Sequence, residues 1–305
     1  MRVLITGTSS GIGLATSVEL ARSGHTVFAT MRDPARAPQL GQIVEEERLA
    51  VSILPMDVDS DKSVSDTMSE IHKNGGVPDV LINNAGVERM GSIEELPMEA
   101  FRSVMETNYF GALRCIQAVV PLMRQRRSGC IVNVTSVAGK IALSPMAPYT
   151  ASKWALEALS EVLAQELKPH NIRVAIVQPG IIDTAMARRV GEPSAGSLYP
   201  HANRIAGLFQ ASLAGPRPPS IVAQKIREII ENGTWSLRHP AGPDAEPFLG
   251  WRASMTDDGW IDWGALEDEE WYKRVEQDFG LDAHPSKARA ATASGRDAGH
   301  QGPVS

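Results

Sequence analysis

Tyr149-Thr150-Ala151-Ser152-Lys153 sets a phenol and an ammonium four residues apart. On a helix, positions i and i+4 share a face, so the two groups can act at one point. A free tyrosine ionises near pH ~10, too high for efficient acid–base work at neutral pH, and a nearby cation lowers that value. The pair is a candidate proton donor and acceptor. The same spacing also arises by chance in surface pairs, so its company decides. Ser136 closes one β-rich run, Asn83-Asn84-Ala85-Gly86 closes another, Asn108 begins or interrupts a helix, and Pro179-Gly180-Ile181-Ile182-Asp183-Thr184 leaves a third run.

A second constellation binds anions. Thr6-Gly7-Thr8-Ser9-Ser10-Gly11-Ile12-Gly13 lies between the first apolar run and the first helical pattern. Glycines permit positive φ and a close backbone approach to a pyrophosphate, and a helix N-terminus favours the negative charge. Three residues separate the first two glycines, unlike the G-x-G-x-x-G fingerprint, and a bare structural turn is the competing reading. About 20 positions further on, where a carboxylate would hold the ribose of NAD, the chain has Met31 and then Arg32. A guanidinium there suits the extra phosphate of NADP. A solvated loop charge is the alternative for Arg32, and Asp33 is a carboxylate still near enough to serve a ribose.

These segments need a frame that gathers them. Val3–Thr6, Thr26–Met31, Val51–Met56, Asp79–Asn83, Cys130–Thr135 and Ile172–Gln178 read as strands, with Trp235–Leu237 a possible seventh. Helical patterns alternate with them, over Ile12–Ser23, from Ser60-Asp61 toward Gly75, near 108–127 and 149–168, and over Pro219–Glu231. Such βαβ repetition predicts an α/β, doubly wound parallel sheet of about seven strands with helices on both faces. Its ligand crevice lies at the carboxyl ends of the strands.

The expected organisation is a dinucleotide-binding catalytic domain over 1–243, with a Gly/Pro/Ala-rich substrate lid at 185–219 that is mobile around one short helix. An acidic extension, 244–282, carries Trp251, Trp260, Trp263 and Trp271, and 283–305 reads as a disordered tail. A net charge of −6 argues against a nucleic-acid partner. No membrane span or targeting segment is visible, and Cys115 and Cys130 read as buried reduced thiols, which fits a cytoplasmic protein. The seven histidines are scattered, so no metal site is expected.

Taken together, the ordered motifs from about residue 2 to 240 resemble the short-chain dehydrogenase/reductase family, in its compact single-domain branch. A looser likeness, through Ala29-Thr30-Met31-Arg32-Asp33 and the residues beyond Thr184, points to the 17-beta-hydroxysteroid and retinol dehydrogenase-like group. The resemblance implies hydride transfer between a nicotinamide and a carbonyl or secondary alcohol. It makes Tyr149 the acid or base and has Lys153 lower the tyrosine pKa and hold the nicotinamide ribose. It has Ser136 orient the substrate oxygen and Asn108 hold a water in a proton relay. Gly7, Ser9, Gly11, Ile12 and Gly13 would frame the phosphates and Asp57 with Val58 flank the adenine. Asn83, Ala85 and Gly86 would line the channel, and Pro179, Gly180, Ile182 and Thr184 brace the nicotinamide. A homodimer or homotetramer on the helices near 108–127 and 149–168 is implied too.

The residues expected to border a mostly apolar substrate are Ser136, Ala138, Met146, Tyr149 and Met186, with Val87, Met90, Ile141, Tyr199, His201 and Phe209 also in the bordering segments. Glu88, Arg89 or Lys140 would stand at the mouth. Ordinary core packing is the rival for the apolar ones, and a surface position for His201. NADP is the expected cofactor, and an NAD-dependent alcohol dehydrogenase is the alternative. A non-catalytic NADP-sensing regulator on the same fold would not need the proton-transfer groups. A sugar-nucleotide epimerase or dehydratase would carry a larger substrate domain.

Overall fold

The computed structural model describes residues 1–193, 196–215 and 217–284. Seven strands form one parallel sheet in the order β3-β2-β1-β4-β5-β6-β7. They are β1 (Arg2–Thr6), β2 (Thr26–Met31), β3 (Val51–Pro55), β4 (Val80–Asn83), β5 (Gly129–Val134), β6 (Ile172–Pro179) and β7 (Arg238–Ala241). Alternation along β1 divides its side chains: Val3 and Ile5 face one side, Leu4 the other, all fully buried.

Helices α1 (Gly11–Arg22), α2 (Gln39–Glu47) and α9 (Ser220–Asn232) pack on the Val3 face through Val18, Leu20, Leu40 and Ile226. Helices α3 (Asp61–Gly75), α5 (Gly111–Arg126) and α6 (Ala147–Leu167) cover the Leu4 face, and both free cysteines are buried, Cys115 in this layer and Cys130 in the other. Ser60 caps α3, its hydroxyl accepting from the Ser63 N–H at 3.3 Å. A short α4 (Met98–Met105) reaches α5 through a π-helical turn, Glu106–Phe110.

Two expectations are corrected. The seventh strand is Arg238–Ala241 and not Trp235–Leu237, because this edge strand is chosen by its polar partners and not by apolar content. Arg238 donates to Glu157 Oε2 at 2.8 Å, and an edge tolerates Pro240. The described residues of 185–219 hold two helices, α7 (Ala185–Val190) and α8 (His201–Leu213), rather than one short helix.

The acidic extension folds as α10 (Ala245–Ala253), α11 (Asp257–Ala265) and α12 (Asp268–Phe279). These build a third apolar cluster, in which Trp263, Trp271 and Val275 pack with Ile181, Val190, Ile205 and Leu208. Of the expected disordered tail, residues 285–305 lie outside the described residues, whereas Ala283 is buried. No helix among the described residues is long and apolar enough to cross a membrane.

Candidate active site

The glycine turn leaves β1 with Gly7 at φ +70° and Gly11 at φ +57°, both left-handed. Asn84 clamps it: its Nδ2 donates to the carbonyls of Thr6 at 2.8 Å and Gly7 at 3.0 Å. A Cβ on Gly13 would stand 2.2 Å from Gly7 O, so only glycine lets α1 sit this close to the turn. Ser10, at the N-cap, makes no side-chain cap bond, which leaves the first amides of α1 to an anion. A pyrophosphate fits this cradle.

Beyond β2, the exposed Arg32 lines the same crevice with Asp57, Val58 and Asp59. Asp33 does not line it. Its carboxylate accepts from the Ala35 N–H at 3.1 Å and caps a short 3-10 turn, so it is occupied as a structural cap. Asp59 is a residue the sequence reading missed. Burial pushes its carboxyl up, while Thr107 donates to it at 2.9 Å. No spacing rule singles it out, because Thr107 reaches it from the distant π-helical turn.

Ser136 opens a 3-10 turn, Val137–Gly139, just past β5, and its Oγ accepts from the Ala138 N–H at 3.1 Å. Tyr149 lies in the first turn of α6, with the Ser136 hydroxyl close enough to its phenol to lower its pKa. Lys153, 4% exposed, donates to Val134 O at 3.0 Å and stands 5.6 Å from the tyrosine ring centre.

Burial pushes Tyr149 up to about 12, which the neighbouring Ser136 hydroxyl opposes and the nearby Glu88 charge reinforces. Burial brings Lys153 down to about 8. Burial of the phenol therefore outweighs what would lower its pKa in this arrangement. At neutral pH the phenol holds its proton.

Asn108 lies in the π-helical turn, which accounts for the interrupted helix, but not against the crevice. Its Oδ1 accepts from the Val87 N–H at 2.8 Å, and its Nδ2 donates to Val87 O and to Ser152 Oγ, each at 2.9 Å. Both ends of the amide are engaged, so the Asn108 side chain positions Val87 and Ser152. Asn83 also turns away. Its Nδ2 donates to Asn133 Oδ1 at 2.8 Å, and Asn133 passes the chain to Ser160 Oγ at 2.8 Å. Asn84 takes the place by the crevice that was expected of Asn83.

The other expected residues line one continuous crevice enclosing about 390 Å³. Gly7, Ser9, Gly11, Ile12, Gly13, Arg32, Asp57, Val58, Ala85 and Gly86 occupy one half. Tyr149, Lys153, Pro179, Gly180, Ile182 and Thr184 stand at the junction, and Ser136, Ala138, Met146 and Met186 lie in the apolar half.

Among the bordering segments, Val87, Glu88, Ile141 and Phe209 reach the crevice, and Met90, Arg89, Lys140, Tyr199 and His201 do not. His201 Nε2 instead meets Gly264 O at 3.2 Å and ties α8 to the extension. Glu88 pairs with Arg189 of α7 at 3.4 Å. The sequence reading also missed Glu157, which is 2% exposed. It accepts from Thr135 at 2.9 Å and Gln178 at 3.0 Å and so braces the strand that presents Ser136. No group of three or more His, Cys, Asp or Glu among the described residues could hold a metal.

Known proteins resemble this chain in sequence and fold. A sequence profile of the family described as short chain dehydrogenase matches residues 1–195. Retinol dehydrogenase 8 of Bos taurus is 40% identical over 265 residues, 82% of this chain and 84% of its own. The NADPH-dependent pterin aldehyde reductase of Arabidopsis thaliana is 38% identical over 185 residues, 60% of this chain and 76% of its own. The crystal structure of a short-chain dehydrogenase from Streptomyces avermitilis superposes with a TM-score of 0.72 at 30% identity, covering 87% of this chain and 96% of that one.

Proposed function

The chain belongs to the short-chain dehydrogenase/reductase family of oxidoreductases, and we propose that it is an NADP(H)-dependent reductase of ketones or aldehydes, Tyr149 acting as the acid. One observation carries the reading: Ser136, Tyr149 and Lys153 meet in a crevice continuous with the glycine cradle. When bound there, the nicotinamide supplies the hydride for reduction or accepts it for oxidation.

The chain's own residues do the rest. Ser136 Oγ already accepts from Ala138, which leaves its proton to point at the substrate oxygen or at Tyr149. As the carbonyl oxygen gains charge, Tyr149 gives it a proton, and the buried setting strengthens both bonds. Lys153 offers a positive charge beside the phenolate left behind. Holding substrate and hydride donor in one crevice supplies the proximity term. Helices α7 and α8 act as the substrate lid, a role supported by Met186 and Val190 of α7 and Leu208 and Phe209 of α8 at the crevice.

Arg32 at the crevice, with Asp33 engaged as a cap, is this chain's reason to prefer NADP, and the Arabidopsis relative is by name NADPH-dependent. Exposed Phe110, Trp154 and Val162, on or beside α5 and α6, support a homodimer or homotetramer built on those helices. The two buried free cysteines suit a reducing compartment such as the cytoplasm.

Titration with NADPH and NADH, followed by nicotinamide fluorescence, tests the reading. NADPH is expected to bind at least about tenfold tighter, and Arg32→Ala to remove most of that preference while leaving NADH affinity in place. Preference for NADH in the parent protein would overturn the NADP assignment, and binding of neither would overturn the enzyme reading.

The pH dependence follows from Lys153. Its ammonium is present below about pH 8 and lost above it, so kcat/KM for ketone reduction is expected to hold from pH 6 to 8. It then falls by about tenfold per unit above that. A profile flat to pH 9.5 would remove Lys153 from the proton-transfer step.

A further inference from the structure

Strands β6 and β7 end side by side, with Pro179 opposite Ala241. After β6 the chain runs Gly180-Ile181-Ile182-Asp183-Thr184, and Gly180, Ile181, Ile182 and Thr184 line the crevice with Tyr149 and Lys153. After β7, Gly242 at φ +104° and then Pro243 turn the chain back, and Asp244 arrives against that segment. Asp244 is 8% exposed and does not itself line the crevice.

Its carboxylate is placed for one contact. Oδ2 accepts from the Ile181 N–H at 2.9 Å, with the Arg217 guanidinium 3.8 Å away. Oδ1 is buried and meets no donor among the described residues. Asp244 stands at the N-cap of α10 but makes no side-chain cap bond there, so capping does not explain it. A buried carboxylate with an unpaired oxygen costs free energy that ordinary packing would avoid. The fit to the turn is tight: a Cβ on Gly180 would lie 2.2 Å from Asp244 Oδ1.

The contact fixes a peptide plane. A trans peptide holds its N–H and C=O in opposite directions, so the Ile181 N–H bonded to the carboxylate sends the Gly180 carbonyl away from Asp244. The neighbouring amides are held as well. Gly180 N–H donates to Ala241 O at 3.0 Å, and Asp183 N–H donates to Arg217 O at 2.9 Å. Of these three acceptors only Asp244 is a side chain, and so only Asp244 is open to removal by substitution.

We propose that Asp244 is a positioning residue for the nicotinamide end of the cofactor site, acting through the Ile181 amide to set the turn from Gly180 to Thr184. This rests on the NADP(H) reading of the same crevice. The glycine cradle and Arg32 lie in the other half, so the two ends of the cofactor are expected to respond differently when the carboxylate is lost.

The test titrates the full chain calorimetrically with NADPH and with adenosine 2′,5′-bisphosphate, which keeps the adenine and the extra phosphate and lacks the nicotinamide. NADH and ADP replace them if the parent protein prefers NADH. Serine suits a helix N-cap but is too short to reach the Ile181 amide as the carboxylate does. Asp244→Ser is therefore expected to weaken NADPH at least about tenfold and to leave the bisphosphate within about twofold. Asp244→Asn keeps an oxygen for Ile181 and is expected to hold NADPH within about threefold of the parent. A thermal melt followed by circular dichroism checks folding. If Asp244→Ser melts early, Gly180→Ala carries the test with the same expected pattern, since its Cβ must displace the same carboxylate. Equal weakening of both ligands in a folded variant overturns this proposal alone. So does unchanged NADPH affinity, or an asparagine variant as weak as the serine one. Binding of neither ligand by the parent protein overturns the cofactor reading, and this one with it.

Discussion

Tyr149→Phe is expected to cut ketone reduction by about a thousandfold and to leave NADPH affinity within about twofold. The ring and its burial are kept and one oxygen is lost. That oxygen is the group beside Ser136, and at neutral pH it carries the proton because burial holds its pKa at about 12. The glycine cradle and Arg32 lie in the other half of the crevice, so the substitution leaves them untouched. Stopped-flow reduction under single-turnover conditions, beside a fluorescence titration, separates the two effects. A variant retaining a tenth of parental turnover would show that the proton comes from elsewhere.

Gly13→Ala is the second large effect. The added methyl carbon would lie 2.2 Å from Gly7 O and 2.5 Å from Asn84 Nδ2, and the first of these is backbone. The turn or the helix must move, at an overpacking cost of about 1–3 kcal/mol. Either movement spoils the amide array that faces the phosphates, so NADPH is expected to bind at least about tenfold more weakly. Gly41→Ala is the matched control, since within α2 its Cβ would meet only Ile53 Cδ1, at 3.9 Å. It is expected to leave NADPH affinity unchanged and to raise the melting temperature slightly, as alanine is the better helix former by about 1 kcal/mol. Parental affinity in the Gly13 variant would move the phosphate site away from this turn.

The sheet and the Tyr149–Lys153 pair were legible in the sequence for local reasons. Apolar runs of four to eight residues bounded by turn residues report strands wherever burial is what selects them, as in Thr26–Met31. Tyr149 and Lys153 were legible because helical spacing alone puts them on one face. What was not legible depended on long-range partners. Arg238–Ala241 has little apolar signal and is recruited by Glu157 across 81 residues. The roles of Asn83 and Asn84 differ only in which way each points from the end of β4, and a sequence gives two equal amides there. Phe248 and Phe279 join the crevice because the extension turns back over α8, a path that no residue type announces.

The paired amides of Asn83 and Asn133 have a further effect, on the fidelity of folding. These residues are direct partners at the end of the β4–β5 register, with Ile82 opposite Val132 and Leu81 opposite Ile131 in the two pairs before them. Apolar neighbours of such similar shape discriminate poorly between one alignment and its neighbour. A one-residue slip would bring Asn83 against Val132 or Val134 and strand buried amides, at a penalty of about 1–3 kcal/mol for each unpaired group. Ser160 extends the same check to α6, since its hydroxyl meets Asn133 only when the helix is also in phase. Substituting both amides by leucine would thus loosen the choice among alignments, the signature being several slowly exchanging amide environments along β4 and β5.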